Sequence, residues 1–334
     1  MPPTISIVVP CYNEQATIGL LLDAILQQTY PRSCIEVVVA DGSSEDGTRQ
    51  AISAFQAEHP DLPLRLVDNP GRTIPAALNT AIAAARGEII LRLDAHSIPI
   101  PEYSTRCVEG IVRHKGSVVG GVWSIRPGGD GFIARGIAQA ASHPLGVGDA
   151  LYRLRSREGP VDTVPFGSFR CGLIKQVGGY DESLLTNEDY EFNTRVRKAG
   201  GVVWLDPAIR STYIARASLQ ALAQQYWRYG YWKRKMLQRH PGSLRWRQAL
   251  PPVFVASLIG LGSLSIFLPP ARVLLLLETA LYILLLAGAG LLAAMRRGSP
   301  LLMLGLPLAI ATMHVSWGAG FLWSLVSGRA PSHG

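Results

Sequence analysis

Acidic side chains are nearly absent from the last 128 residues of this 334-residue sequence, where thirteen Lys/Arg accompany a single acid, Glu278. The preceding 206 residues carry nineteen basic and twenty-three acidic groups, so the net charge of +8 is a basic tail on a mildly acidic body. A nucleic-acid partner is excluded on that ground, since the basic residues adjoin apolar runs and the body is net acidic. Cysteine is scarce as well. Cys11, Cys34, Cys107 and Cys171 show neither CxxC nor Cys/His zinc spacing and read as free thiols, small buried hydrophobes. No GxGxxG follows the first strand-like run and no GxxxxGK[ST] occurs anywhere, which excludes the usual dinucleotide and P-loop devices. A basic n-region is missing too. Met1–Thr4 lead directly into a strand-like run, so the body is expected to stay in the cytoplasm.

What the tail does contain is apolar length. Three stretches stand out, Pro252–Leu268, Val273–Met295 and Leu301–Val326. The second and third exceed the ~20 residues that cross hydrocarbon, and the first sits at the lower limit. Seven Lys/Arg and no acid occupy Arg228 to Arg247, just before the first stretch, as the positive-inside rule asks. The expected organisation is a cytoplasmic domain over 1–240, with a basic juxtamembrane helix at 218–240. A linker at 241–251 and a membrane region at 252–326 follow, with about three spans (252–268, 273–295, 301–326). Three spans place Arg296 and Arg297 inside and the final GRAPSHG outside. Glu278 and His314 fall within apolar spans, where ionisable groups are expensive. They are expected to pair with each other or to meet a lipid headgroup, or else to lie close enough to an interface to stay wet.

The body alternates strand and helix. ISIVVP (5–10), IEVVVADGS (35–43), LRLVDN and EIILRLD are β-branched or apolar runs, and helical patterns separate them. Near-continuous apolar strands alternating with helices indicate a parallel sheet covered on both faces, whose ligands bind beyond the carboxyl ends of the strands. Three polar clusters fall at that edge: PCYNE (10–14), DGSSEDGT (41–48) and DAH (94–96). Each has a bland reading, DGSSEDGT as a turn with a helix cap for example. Together at one edge they point to a ligand site. Asp94 supplies a hard oxygen of the kind Mg²⁺ and Mn²⁺ prefer, and His96 a nitrogen ligand or a hydrogen bond to phosphate.

At these residues the sequence resembles the family 2 glycosyltransferases of GT-A fold, and within them the ExoA-type, succinoglycan-biosynthesis branch. The likeness covers about residues 4–250. It rests on VVPCYNE, DGSSEDGT, NPGRTIPAALNTAIAAARGEIILRLDAH, VDTVPFGSFR, GGYDESLLTNEDYEFNTRVRKAGG and QQYWRYGYWKRKML, in that order. It implies a Rossmann-like nucleotide-diphospho-sugar transferase domain followed by an α-helical membrane region. Pro10, Tyr12 and Glu14 would line the nucleotide pocket with Ser43, Asp41 would recognise uracil or ribose, and Arg72 and Asn79 would lie near the donor. Asp94 would be the metal-binding aspartate of the family's DxD motif. His96 stands where the second Asp usually is, leaving its ligand role and the identity of the ion open. Asp189, with Glu188 beside it in TNEDYEF, would be the base that takes the acceptor's proton. Its bland alternative is an acidic helix start. Gln225, Arg228 and Tyr229 resemble a QxxRW motif, with Tyr in place of Trp, and would contact the donor diphosphate or sugar. The alternative for Arg228 is a place in the juxtamembrane basic patch, and for Trp227, Tyr229, Tyr231 and Trp232 an interfacial aromatic belt.

The function so implied is an inverting, metal-dependent hexosyltransferase. It would use a UDP-sugar, with glucose the expected sugar, and a divalent cation, Mg²⁺ or Mn²⁺. The acceptor would be a polyprenyl-linked saccharide at a bacterial plasma membrane, in exopolysaccharide or cell-envelope glycan synthesis. A polyprenyl-phosphate sugar synthase, a processive synthase and a non-catalytic nucleotide-sugar sensor or scaffold are the competing readings.

Overall fold

The computed structural model describes residues 2–154 and 157–327. Its strands are β1 (Ile5–Cys11), β2 (Ile35–Asp41), β3 (Leu64–Asp68), β4 (Ile89–Arg92), β5 (Ile98–Pro99), β6 (Val118–Arg126), β7 (Gly159–Pro160), β8 (Ser168–Arg170) and β9 (Val203–Ile214). The helices are α1 (Ile18–Leu26), α2 (Thr48–Glu58), α3 (Ile74–Ala84), α4 (Tyr103–Val112), α5 (Phe132–Ala140), α6 (Pro144–Val147), α7 (Leu151–Leu154), α8 (Leu173–Val177), α9 (Glu188–Lys198), α10 (Leu219–Arg239), α11 (Trp246–Leu264), α12 (Pro269–Arg297) and α13 (Leu302–Val326). The chain forms two compact units, Met1–Ser124 with Leu151–Tyr213, and Ile125–Ala150 with Ile214–Gly334. Helices α5, α6 and α10 thus group with the C-terminal helices.

The first unit is built on a sheet of order β3-β2-β1-β4-β8-β6-β9-β5, with β7 pairing β9. The four leading strands pair in parallel, as their alternation with helices implies. Beyond β4 the expectation of an all-parallel sheet fails. β8 runs antiparallel to β4 and to β6, and β5 and β7 run antiparallel to β9. Each of these pairings involves β5, β7 or β8, strands of two or three residues that are too short to show a period. Side chains alternate between two apolar layers. Ile5, Ile7 and Val9 face α1, α2 and α4 residues such as Leu21, Ile52 and Tyr103, whereas Val8, Val38 and Ile90 face Leu78, Phe192 and Val196. The order of strand addition reverses between β1 and β4, which opens a crevice at the carboxyl ends of these two parallel strands.

In the second unit α12 and α13 are long and apolar enough to cross a membrane. The first apolar stretch differs from its expected bounds. The helix begins at Trp246, where the Arg245 amide donates to Gln248 Oε1 at 3.2 Å, runs through Pro251 and Pro252, and ends at Leu264. The final GRAPSHG lies outside the described residues. Glycines let the helix backbones approach closely. A Cβ on Gly136 would meet Gly305, on Gly230 the Trp317 carbonyl, and on Gly320 the Trp227 carbonyl. Glu278 and His314 do not pair with each other. Glu278 accepts from Ser257 Oγ, while His314 Nδ1 lies 3.0 Å from Tyr282 Oη and its Nε2 donates to the Leu145 carbonyl at 2.7 Å. Tyr231 and Trp232 are buried, so they do not form an exposed aromatic belt. Of the four free thiols, Cys11 and Cys107 are buried and Cys34 and Cys171 partly exposed.

Candidate active site

The crevice is assembled from strand ends. After β1, Tyr12 stays exposed and lies across Gly42, where an added Cβ would sit 3.2 Å from the ring and 3.5 Å from the Arg72 Cα. Three loops are thereby drawn together, those following β1, β2 and β3. Each carries a non-glycine residue at positive φ, Asn13, Ser43 and Arg72, and Asn187 before α9 makes a fourth. Such strained positions persist where the surroundings over-determine them, commonly at functional sites. Pro10 is buried at the end of β1, paired in register with Ala40. Asp41 is fully buried and accepts from the Ser44 amide at 3.1 Å, with Arg49 Nε 3.6 Å away. Arg72 is exposed and faces Glu45 at 3.7 Å.

Asn79, expected near the donor, is held at the loop before α9. Its amide clips the loop before α9, donating to the Tyr180 carbonyl at 2.9 Å and to Glu182 at 2.8 Å while accepting from the Tyr180 amide at 2.8 Å.

His96 Nδ1 donates to Glu14 Oε1 at 2.9 Å. Burial works to raise the Glu14 pKa, but hydrogen bonds from His96 and Thr17 outweigh it and hold the carboxyl below its ordinary value. His96 is thus directed to Glu14, across the crevice from β1. Asp94 is engaged instead by Arg92, whose Nε and Nη2 both reach Oδ1 at 3.0 Å. Its other carboxylate oxygen, Oδ2, could ligate a hard cation, since Mg²⁺ or Mn²⁺ commonly takes one or two protein carboxylates with substrate phosphates. A protein-only cage is absent, since no group of three His/Cys/Asp/Glu fit to hold an ion occurs among the described residues. The donor set fits an ion that enters with a diphosphate.

Sequence reasoning passed over Arg92. It is fully buried on β4, and it gathers Asp94, Glu188 at 3.0 Å and Asp189 at 2.6 Å around one guanidinium. The available signal was a cation inside an apolar strand run, IILRLD. Glu188 and Asp189 open α9, whose first turn is acidic and last turn basic, in keeping with the helix dipole. The VDTVPFGSFR segment is fastened to the same helix by Asn193 Nδ2, which donates to Thr163 Oγ1 and the Val164 carbonyl. Burial pushes the Asp189 carboxyl up, Arg92 pulls it down, and Glu188 and Asp94 push it up again, leaving it at about 7. A carboxyl so poised is a competent general base near neutrality. Gln225, Arg228 and Tyr229 lie on α10 in the second unit, where Gln225 Nε2 donates to Tyr229 Oη at 3.0 Å.

A mixed sheet whose parallel half ends in a crevice at the switch point, ringed by strained loops and paired carboxylates, fits a sugar-transferase class of site. Residues 6–178 match the family model for glycosyl transferase family 2, and the chain belongs to that family. It is 31% identical over 97% of its length, and 95% of the relative's, to the succinoglycan biosynthesis protein ExoA of Rhizobium meliloti. A second relative, at 27% over 79% of the chain and 83% of its own, is the dolichyl N-acetyl-alpha-D-glucosaminyl phosphate 3-beta-D-2,3-diacetamido-2,3-dideoxy-beta-D-glucuronosyltransferase of Methanococcus voltae. Among solved structures, the mannosyltransferase PcManGT of Pyrobaculum calidifontis, in complex with GDP-Man and Mn²⁺, shares the fold. Its TM-score is 0.64 at 22% identity, covering 94% of this chain and 87% of that one. The protein is accordingly a glycosyltransferase of ExoA type, with relatives in polysaccharide and lipid-linked glycan synthesis.

Proposed function

We propose that the chain transfers a hexose, glucose being the expected sugar, from a UDP-sugar to a polyprenyl-linked saccharide with inversion at the anomeric carbon. The observation that carries this reading is the gathering of Asp94 and Asp189 at one guanidinium, 3.0 and 2.6 Å from Arg92 nitrogens. Inverting transfer needs two functions on opposite sides of the sugar, a group that accepts the acceptor's proton and a site that steadies the departing diphosphate. Asp189 takes the proton as the hydroxyl attacks. Asp94 would hold the divalent cation, with His96 and Glu14 bordering the diphosphate. That cation, when bound, neutralises negative charge as UDP leaves. Tyr12 over Gly42, with Asp41 behind, receives the nucleotide. The transition state carries positive charge at the anomeric carbon, so the surrounding carboxylates favour it. The catalytic unit works at the cytoplasmic face, anchored by a multi-pass membrane region of the second unit.

The acceptor class rests on the Methanococcus voltae relative, whose name describes transfer to a dolichyl-linked sugar. The test is UDP release by membranes supplied with extracted lipid acceptors, across UDP-sugars and GDP-mannose, with Mg²⁺, Mn²⁺ or EDTA. One donor should turn over, and EDTA or Asp94→Ala should abolish release. Release that persists in EDTA would remove the cation from the account, and silence with every donor would favour the sensor or scaffold.

A further inference from the structure

Arg92 is an unusual residue to find on a central strand. Alternation along β4 puts it on the same face as Ile90, in the layer that packs against α9, with Leu91 and Leu93 in the opposite layer. An apolar side chain there would continue the core. Taking a guanidinium out of water is costly, and buried ion clusters can often be replaced by packed apolar residues without loss of stability. Stability is therefore a poor reason for an arginine at this position.

Geometry supplies a better one. The planar fork offers donors in several directions, and each nitrogen is used: Nε and Nη2 on Asp94 Oδ1, Nη2 also on Glu188 Oε1, and Nη1 on Asp189 Oδ1. Asp94 and Asp189 are each gripped by a single oxygen. The grip leaves Oδ2 of Asp94 for the ion and Oδ2 of Asp189 for the acceptor's proton. Fixed surroundings confine the fork, since the Phe166 ring lies 5.8 Å from the guanidinium carbon and the buried Tyr180 ring belongs to the same layer. Tyr180 is in turn fastened by Asn79 and stacked on Phe192, 4.8 Å between ring centres. Three carboxylates, when all are ionised, would exceed one guanidinium by two negative charges, which a divalent cation would offset.

We propose that Arg92 is a positioning residue for sugar transfer, its guanidinium setting the separation between the diphosphate-holding Asp94 and the proton-accepting Asp189. It touches neither substrate and acts through the two aspartates. The inference rests on the transferase reading of this site. A lysine keeps the charge but is a point donor on a flexible stem, unable to hold carboxylates on both edges. Misplacement of reacting groups by about 1 Å can slow a reaction on the order of 100-fold without weakening ground-state binding.

The test compares wild type, Arg92→Lys and Arg92→Ala as full-length protein in detergent or nanodiscs. It reads steady-state kinetics, calorimetric UDP affinity with Mn²⁺, and thermal stability. Arg92→Lys should lose kcat on the order of 100-fold, while donor KM and UDP Kd stay within about threefold. Guanidinium ion at millimolar concentration should restore about tenfold of the rate lost by Arg92→Ala, which sodium ion and urea should not do. Arg92→Lys turning over within about threefold of wild type overturns the proposal, as does a loss confined to KM and UDP affinity. Failure of both variants to fold also overturns it, by assigning Arg92 to the fold alone. A wild type silent with every donor overturns instead the transferase reading, and the positioning role with it.

Discussion

Replacing Asp189 by Asn should stabilise the protein at alkaline pH while disabling it. The Asp189 carboxyl titrates at about 7 in the folded chain against an ordinary 3.8. The unfolded chain releases this proton near its ordinary value, whereas the folded chain holds it to near neutrality. Stability is therefore whole below about pH 4, falls as pH rises toward about 7, and is level beyond. A shift of about 3 units corresponds to about 4 kcal/mol as a ceiling, at about 1.4 kcal/mol per unit. Three carboxylates share Arg92, and relaxation around a partly exposed group softens the penalty, so about 1–3 kcal/mol is the working figure. Asn cannot ionise and removes the decline, and Arg92 keeps Asp94 and Glu188 as partners. Thermal unfolding of the detergent-purified protein, followed by tryptophan fluorescence, checks this. The melting temperature of Asp189→Asn minus that of wild type should grow by about 3–8 °C between about pH 4.5 and pH 8. A difference that stays flat, or shrinks, would refute the burial-driven elevation.

Four further outcomes follow from the same geometry. The wild-type kcat/KM should rise with pH through about 7, because the base works deprotonated, and level off above; a pH-rate profile reads it. Asn79→Ala removes three hydrogen bonds to the loop before α9 and should cost about 1–3 kcal/mol of stability with donor affinity nearly unchanged, measured by thermal unfolding and UDP calorimetry. Gly230→Val drives a side chain into the Trp317 carbonyl and should destabilise the second unit by about 1–3 kcal/mol, seen as a lower yield of folded protein after detergent extraction. Arg228→Ala is expected to weaken donor turnover on the order of tenfold if its motif binds diphosphate, and to leave kcat/KM unchanged if the residue serves only the basic patch.

The parallel half of the sheet was legible because β1 to β4 are apolar runs separated by helices with clear periods. β5, β7 and β8 were not, since two or three residues carry no period and their pairing depends on partners far along the chain. The grouping of α5 and α6 with the C-terminal helices depends on close glycine contacts such as Gly136 with Gly305, which composition does not signal. At the site, placement at a strand end brought forward Asp94 and His96 and the family resemblance Glu188 and Asp189, and the structure sets Asp94 and the α9 pair around one arginine. Sequence alone could not reveal that His96 turns to Glu14, or that Asn79 serves a loop a hundred residues away, because both are tertiary pairings. Arg92 was visible as a misfit in an apolar strand, but its meaning required seeing three carboxylates converge on it.

The central claim is that Asp189 accepts the acceptor's proton beside a donor held at Asp94. Turnover of Asp189→Asn with the best donor and acceptor, measured together with its UDP affinity, tests that most directly. A rate lower by about 10²–10⁴-fold with UDP binding intact is the expected result. Turnover within about threefold of wild type would contradict it and move the base to another residue.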